Sequence, residues 1–160
     1  MITFTQIEQF LKERNIQFEV KHHPPTRTSE ESAYHRKEPI KIGAKALLVK
    51  GEDGFSLAVI PANRLLDTKS VKKILHTKNL RFATQEELKE LTGLVPGSVP
   101  PFGNLMNISM LVDKALFEEE WMAFNAASLE ISIKMRTKDY RGAVNPQVEE
   151  MSQEKIVTTS

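Results

Sequence analysis

The sequence predicts a single α+β domain in which a curved, mixed β-sheet is flanked by helices. Three observations predict it. Residues 44–50 and 55–60 are apolar runs separated by Gly51-Glu52-Asp53-Gly54, the pattern of a β-hairpin. Thr5 with Glu8, Thr28 with Glu31 and Thr84 with Glu87 each place a capping pair at the start of a short helical stretch. Helix and strand signals then alternate through 160 residues with no repeat and no linker, which suits one domain.

In chain order, Phe4, Ile7, Phe10 and Leu11 recur at helical spacing and predict a first amphipathic helix. Residues 16–20 alternate as a strand, and His23-Pro24-Pro25 breaks regular structure. A short helix follows over Glu30–Tyr34, then the two hairpin strands. Thr68 opens a short basic helix to Leu75, and residues 80–83 read as a brief strand. Thr84 starts another helix with Leu88 and Leu91 inward and Gly93 at its stop. Residues 93–104, with three glycines and three prolines in twelve positions, exclude a helix or a central strand. Strands are expected at 107–112, 121–126 and 129–135; in the last, Leu129, Ile131, Ile133 and Met135 face one way and Glu130, Ser132 and Lys134 the other. Thr137 is read as the cap of a final short helix ended by Asn145-Pro146. Residues 1–150 form the expected domain, and 151–160, polar and without periodicity, an expected mobile tail.

Composition narrows the function. With 40% apolar and 27% charged residues the chain can bury a core, and it holds no apolar run of the ~20 residues a membrane-spanning helix needs. The N-terminus lacks a basic start followed by an apolar stretch, so a cytoplasmic setting is expected. The absence of cysteine excludes disulfides, thiol catalysis and thiolate metal sites. Twenty-two Lys and Arg against 21 Asp and Glu exclude a sequence-blind nucleic-acid coat. Charge is nonetheless uneven: Arg64, Lys69, Lys72, Lys73, Lys78 and Arg81 face only Asp67 in residues 64–81, and Lys134, Arg136, Lys138 and Arg141 cluster around Asp139. Such stretches are solvated helix faces or, if folded together, a polyanion-binding face.

Familiar catalytic motifs are absent. His22, His23, His35 and His76 lack zinc-ligand spacing, so no metal is expected. No nucleophile elbow, Walker loop or dinucleotide fingerprint occurs, and no cofactor is implied. Two features remain. Lys45 sits near the head of the apolar strand Ala44–Val49, either as a snorkelling edge residue or as a fixed cation facing an anionic or carbonyl-bearing ligand. Residues 97–103, Gly-Ser-Val-Pro-Pro-Phe-Gly, form a stiff loop, either a plain crossover or a place where backbone approaches a small polar group.

At these residues the sequence resembles the YbaK/prolyl-tRNA synthetase-associated domain family of aminoacyl-tRNA deacylases. The matching stretches are HHPPTRTSEESA (22–33), GAKALLVK (43–50), IPANRLLD (60–67), TGLVPGSVPPFG (92–103) and FNAASLEISIKM (124–135), in order across almost the whole chain. The resemblance implies a free-standing editing hydrolase that cuts the ester between a wrongly attached amino acid and the tRNA 3′ end, without metal or covalent intermediate. It maps the family lysine onto Lys45, which holds the substrate end, and the family Gly-x-x-x-Pro loop onto Gly97 and Pro101, which help place water together with the ribose 2′-OH. By analogy of position, His23, Thr28, Tyr34, Asn125, Ala126 and Ser128 are expected around the pocket. Arg64, Ser98, Phe102 and Gly103 are expected to help hold the CCA end, with Lys72 and Lys73 as further helpers. Many relatives carry glycine where this chain has Ala127, and some follow the lysine with asparagine where it has Ala46; both bear on which amino acid is removed, with alanine, serine, threonine and cysteine as candidates. The expected partner is aminoacyl-tRNA through its CCA end, with a synthetase as a further candidate; neither membrane nor DNA is expected. The rival readings are a non-catalytic tRNA- or synthetase-binding module of the same fold, and a hydrolase of a small ester that is not on tRNA.

Overall fold

The computed structural model describes residues 1–155. Helix α1 (Phe4–Glu13) buries Ile7, Phe10 and Leu11 and is capped by Thr3 with Gln6, not by Thr5 with Glu8. Thr3 lies in the extended conformation that a cap requires, and its side chain accepts from the Gln6 amide. Strand β1 (Phe18–His22) begins two residues later than expected and leads to α2 (Ser29–Arg36), which Thr28 caps and which runs two residues past Tyr34. A 3₁₀ turn over Ile40–Ile42 then delivers the hairpin of β2 (Ala44–Gly51) and β3 (Gly54–Pro61). Gly51 pairs with Gly54 across the two-residue turn Glu52-Asp53, and Gly54, the first residue after it, takes a positive φ of 126° that a side chain would disfavour.

Next come β4 (Arg64–Leu66), α3 (Thr68–Ile74), β5 (Arg81–Phe82) and α4 (Gln85–Thr92). Asp67, not Thr68, caps α3. The capping box of Thr84 and Glu87 is formed, and Gly93 closes α4 at φ 78°. Leu91, read as inward, is 40% exposed; the buried face of α4 is made by Leu88 and Thr92. Contrary to the expectation of no helix in the glycine–proline segment, Gly103–Met106 makes a single helical turn, α5, which starts after the last proline. Strands β6 (Ser109–Asp113), β7 (Trp121–Asn125) and β8 (Ile131–Arg136) follow, with a 3₁₀ turn over Lys114–Glu118 between the first two. Helix α6 (Thr137–Val144) has no side-chain cap; the Thr137 hydroxyl donates instead to the Glu119 carbonyl at 2.6 Å.

The last described elements are β9 (Gln147–Glu149) and β10 (Ser152–Glu154), neither of which the periodicity revealed. Strand β10 pairs antiparallel with β4, and Met151 is fully buried. The buried Asp113 carboxylate accepts from the Met151 amide at 2.9 Å and the Ser152 hydroxyl at 2.6 Å. Residues 152–154 are therefore ordered structure rather than part of a mobile tail; residues 156–160 of that expected tail lie outside the described residues.

The strands form a mixed five-stranded sheet in the order β5-β2-β3-β6-β9, an antiparallel three-stranded sheet in the order β1-β8-β7, and the β4–β10 pair. Strand β3 is central, and its run Leu57–Ile60 is buried on both faces. Leu57 and Val59 meet the main core with α1, Phe102 and Tyr140. Ala58 and Ile60 meet a second, smaller core of Val71, Leu111 and Met151. A parallel bridge between Gly43 and Ala123 joins the two larger sheets. A Cβ on Gly43 would stand 2.9 Å from the Ala62 Cβ, so only glycine fits this seam. Lys45 lies two residues beyond it.

Candidate active site

The seam between the sheets opens into a cleft of about 230 Å³. Three segments wall it: the start of β2 (Gly43–Leu47), residues 26–36 around α2, and Gly97, Val99 and Asn125 on the far side. Lys45 is half-buried on the first wall. Burial holds its ammonium below the ordinary lysine value; nearby Lys155 pushes the same way, and Glu30 opposes. Among the described residues no carboxylate forms an ion pair with Lys45; Glu30 is bound instead to Lys155 at 3.9 Å. A desolvated cation without a counter-ion is suited to an incoming negative charge or carbonyl oxygen.

Opposite Lys45 lies a buried polar network. The Asn125 amide donates to the Gly97 carbonyl at 2.8 Å, while its oxygen accepts from Arg36 Nη2 at 2.9 Å. Ser132 Oγ accepts from Arg36 Nε at 2.8 Å and lies 2.7 Å from His23 Nε2. The His23 Nδ1 donates to the Pro24 carbonyl at 2.9 Å, which fixes the ring. Thr26 Oγ1 accepts from the Ser32 hydroxyl at 2.8 Å. The network ties α2, β7, β8 and the glycine–proline loop together in one place.

That loop is held from both ends. Gly97 has φ 89°, a conformation that disfavours a side chain, and its carbonyl is bound by Asn125. Ser98 Oγ donates to the Val95 carbonyl at 2.8 Å, closing the turn. The Pro101 carbonyl accepts from the Tyr140 hydroxyl at 2.6 Å. Burial drives the Tyr140 pKa far up, so the phenol remains a donor.

Of the residues expected from the sequence, Lys45, Gly97, Thr28 and Asn125 line the cleft. His23 stands behind it, against Ser132. Pro101 and Ser98 shape the loop from behind rather than facing the cleft. Phe102 cannot stack on a base: its ring is fully buried against Phe10, Phe124 and Tyr140, with centroids 5.8, 5.4 and 5.6 Å away. Gly103 is equally structural, since a Cβ there would meet the Ile108 carbonyl oxygen at 2.5 Å. Tyr34 points to solvent at 78% exposure, its ring edge-on to His35 with centroids 5.2 Å apart. Arg64 leaves the cleft for Ser152, its Nε donating to the hydroxyl at 2.6 Å. Ala126 is buried, its amide bonded to the Ile131 carbonyl, and Ser128 Oγ accepts from the Glu130 amide. Between them Ala127 adopts φ 62°, the left-handed conformation that glycine would hold without cost.

Sequence reading missed Thr26, Ser32, Arg36 and Ser132. Strand alternation assigned Ser132 to the outer face of β8, and it does lie opposite Ile133 and Met135. That face is covered by the end of α2, so it is buried. Among the described residues no group of three or more His, Asp or Glu side chains could hold a metal ion. No helix among them is long and apolar enough to cross a membrane.

The fold is shared with solved structures. It superimposes with a TM-score of 0.82 on a crystal structure proposed to be a trans-editing enzyme for prolyl tRNA synthetase, at 24% identity over 94% of this chain and 96% of that one. At such identity the likeness shows the fold. Residues 23–143 match the model of the aminoacyl-tRNA editing domain, and the chain belongs to that family. It is similar to the Multifunctional Ser/Thr-tRNA deacylase ProXp-y of Escherichia coli strain K12, with 28% identity over 152 residues, 92% of this chain and 91% of that protein. It is also similar to the proline–tRNA ligase of Aquifex aeolicus, with 35% identity over 107 residues, 66% of this chain but 19% of the ligase.

Proposed function

We propose that this protein is a trans-acting aminoacyl-tRNA deacylase, in which Lys45 holds the substrate's 3′ end and the Gly97–Pro101 loop positions the attacking water. The single observation that carries the reading is that Lys45, unpaired among the described residues, and Gly97 line the same cleft. Membership of the editing-domain family supports the reaction class, and the similarity to a Ser/Thr-tRNA deacylase along nearly its full length supports a small acyl group.

Water adds to the ester carbonyl carbon. The bond to the ribose oxygen breaks, and that oxygen receives the proton, leaving a free amino acid and an intact CCA end. An aminoacyl ester is already activated, so orientation of water and stabilisation of the developing oxyanion suffice. The Lys45 ammonium supplies the fixed charge, more effective for being half-buried. The loop supplies rigidity, since Asn125 and Tyr140 pin Gly97 and Pro101. A volume near 230 Å³ admits a small aminoacyl group and part of the terminal ribose.

Deacylation of a panel of mischarged tRNAs tests this. The wild type is expected to cleave at least one, and Lys45→Ala to lower the rate about 10²–10³-fold, the usual loss of one oxyanion-stabilising donor. Equal rates in both proteins remove Lys45 from the mechanism. No cleavage of any substrate overturns the deacylase reading.

A further inference from the structure

The guanidinium of Arg36 is the least explained group at the site. Arg36 is only 7% exposed, and among the described residues no carboxylate forms an ion pair with it. The nearby Glu38 is committed to Lys134 at 2.7 Å. Burial lowers the Arg36 pKa to about 10, so it remains a cation at neutral pH, and Glu38 only partly opposes the shift. Two of its nitrogens are occupied: Nε donates to Ser132 and Nη2 to Asn125. Nη1 makes no hydrogen bond to a described residue, and it lies 3.6 Å from the place a Cβ on Gly43 would take; both residues line the cleft. Burying an unpaired guanidinium is costly, and a planar donor locked at two corners leaves its remaining corner aimed in a fixed direction.

Resting on the deacylase reading, we infer that Arg36 selects the amino acid: its free Nη1 donates to the side-chain oxygen of a hydroxylated acyl group. Depth decides which part of the substrate it meets. The phosphate-bearing end of the nucleotide remains joined to the rest of the tRNA and enters from solvent, on the side of half-buried Lys45. The acyl group goes in first and reaches the nearly enclosed arginine. There the cation repels the substrate's α-ammonium and turns it away. It rewards an oxygen acceptor, and Thr26, Ser32 and Asn125 keep the surrounding wall polar. A threonine and a valine side chain have the same shape, so a purely steric pocket would barely separate them. A site that hydrogen-bonds the hydroxyl does separate them.

The test charges one tRNA with threonine and, separately, with valine, and measures deacylation of both by wild type, Arg36→Gln and Arg36→Lys. The wild type is expected to prefer threonine about 10–100-fold, the worth of one hydrogen bond to a charged group. Arg36→Gln brings the ratio towards unity by slowing threonine, and Arg36→Lys retains part of the preference. The ratio is independent of the folded fraction, so any destabilisation by the variant cancels. Ser132→Ala, which leaves the guanidinium but removes the partner of Nε, lowers the ratio by less. A wild type that does not prefer threonine, or an undiminished preference in Arg36→Gln, overturns the assignment while leaving the deacylase reading standing. An Arg36→Gln enzyme slowed equally on both substrates also overturns it, and points to phosphate or carbonyl contact instead. If the wild type cleaves no aminoacyl-tRNA, the deacylase reading itself falls and takes this inference with it.

Discussion

At the scale of single residues, the chain accepts local cost where the cleft requires it. Lys45 heads a strand that would be more stable with an apolar residue in its place, since burial disfavours its charge. Its folded-state pKa lies below the ordinary 10.5 that it regains on unfolding. Between those two values the unfolded chain binds the extra proton, so stability rises with pH through that window. Below the folded-state value the penalty is present in full. Lys45→Met is therefore expected to be inactive yet more stable at neutral pH, by about 0.5–2 kcal/mol as is common when a functional strain is removed. The advantage shrinks as pH rises towards the ordinary lysine range. Urea unfolding of both proteins at neutral and alkaline pH measures it; a variant less stable than wild type at neutral pH would show that the ammonium stabilises the fold. Arg36 carries the same kind of cost more deeply, with two partners to fix it and, among the described residues, no carboxylate in an ion pair with it.

At the scale of elements, the glycine–proline loop, which the proposed function makes the surface that positions water, owes its rigidity to residues elsewhere. Its carbonyl at Pro101 hangs on Tyr140, a fully buried residue of α6, nearly forty positions away. Tyr140→Phe keeps the ring packing against Phe102 but leaves that carbonyl without its donor. The expected cost is about 1–3 kcal/mol of stability. Deacylation should slow through kcat more than KM, because the loop loosens while Lys45 and Arg36 remain. Single-turnover kinetics beside a thermal melt separate the two effects; unchanged kcat at reduced stability would leave Tyr140 a packing residue alone. How much of this was legible in the sequence follows from the range of each interaction. Local signals succeeded: the Thr84–Glu87 box, the Gly93 stop and the hairpin around Glu52-Asp53 are each decided within a few residues. The first cap slipped by two because both Thr3 and Thr5 offer a hydroxyl ahead of the apolar repeat, and only the backbone at Thr3 is extended. Short strands β4, β9 and β10 were invisible, since three residues carry no period and each exists only through a partner strand far along the chain. Phe102 was misplaced for a related reason: beside a functional loop an aromatic ring reads equally as a stacking platform or as core, and only α1, β7 and α6 closing over it decide. Arg36 gave no signal at all, because one arginine at the end of a polar helix is unremarkable until β8 covers it.

At the scale of the whole molecule, charge balance limits how this protein can hold a nucleic acid. A net charge of +1 provides no general attraction for a polyanion. The basic stretch 64–81 does gather in part, since Lys50, Lys72 and Arg81 line a second groove. That groove lies towards the other end of β2, with Lys50 roughly 17 Å along an extended strand from Lys45. It is also partly self-neutralised: Glu87 takes Arg81 at 2.7 Å and lies 3.8 Å from Lys50. The cleft itself offers Arg27, Arg36 and Lys45. With Arg36 turned to the acyl group, a single-stranded CCA end held by Arg27 and Lys45 releases few counter-ions. The logarithm of kcat/KM should therefore fall with the logarithm of salt concentration at a slope of about −1.4, taking ~0.7 per phosphate contact on a single strand. A minihelix carrying only the acceptor arm should show the same slope as the full tRNA. A slope steeper than about −4 for the full tRNA, relaxed in the minihelix, would place the body of the tRNA on the basic groove. Grip on the terminal nucleotides alone would then be too narrow a description, and Lys72→Glu should flatten the slope. With the terminal nucleotides gripped only at the seam between the two sheets, as the proposed function has it, that substitution leaves the slope unchanged.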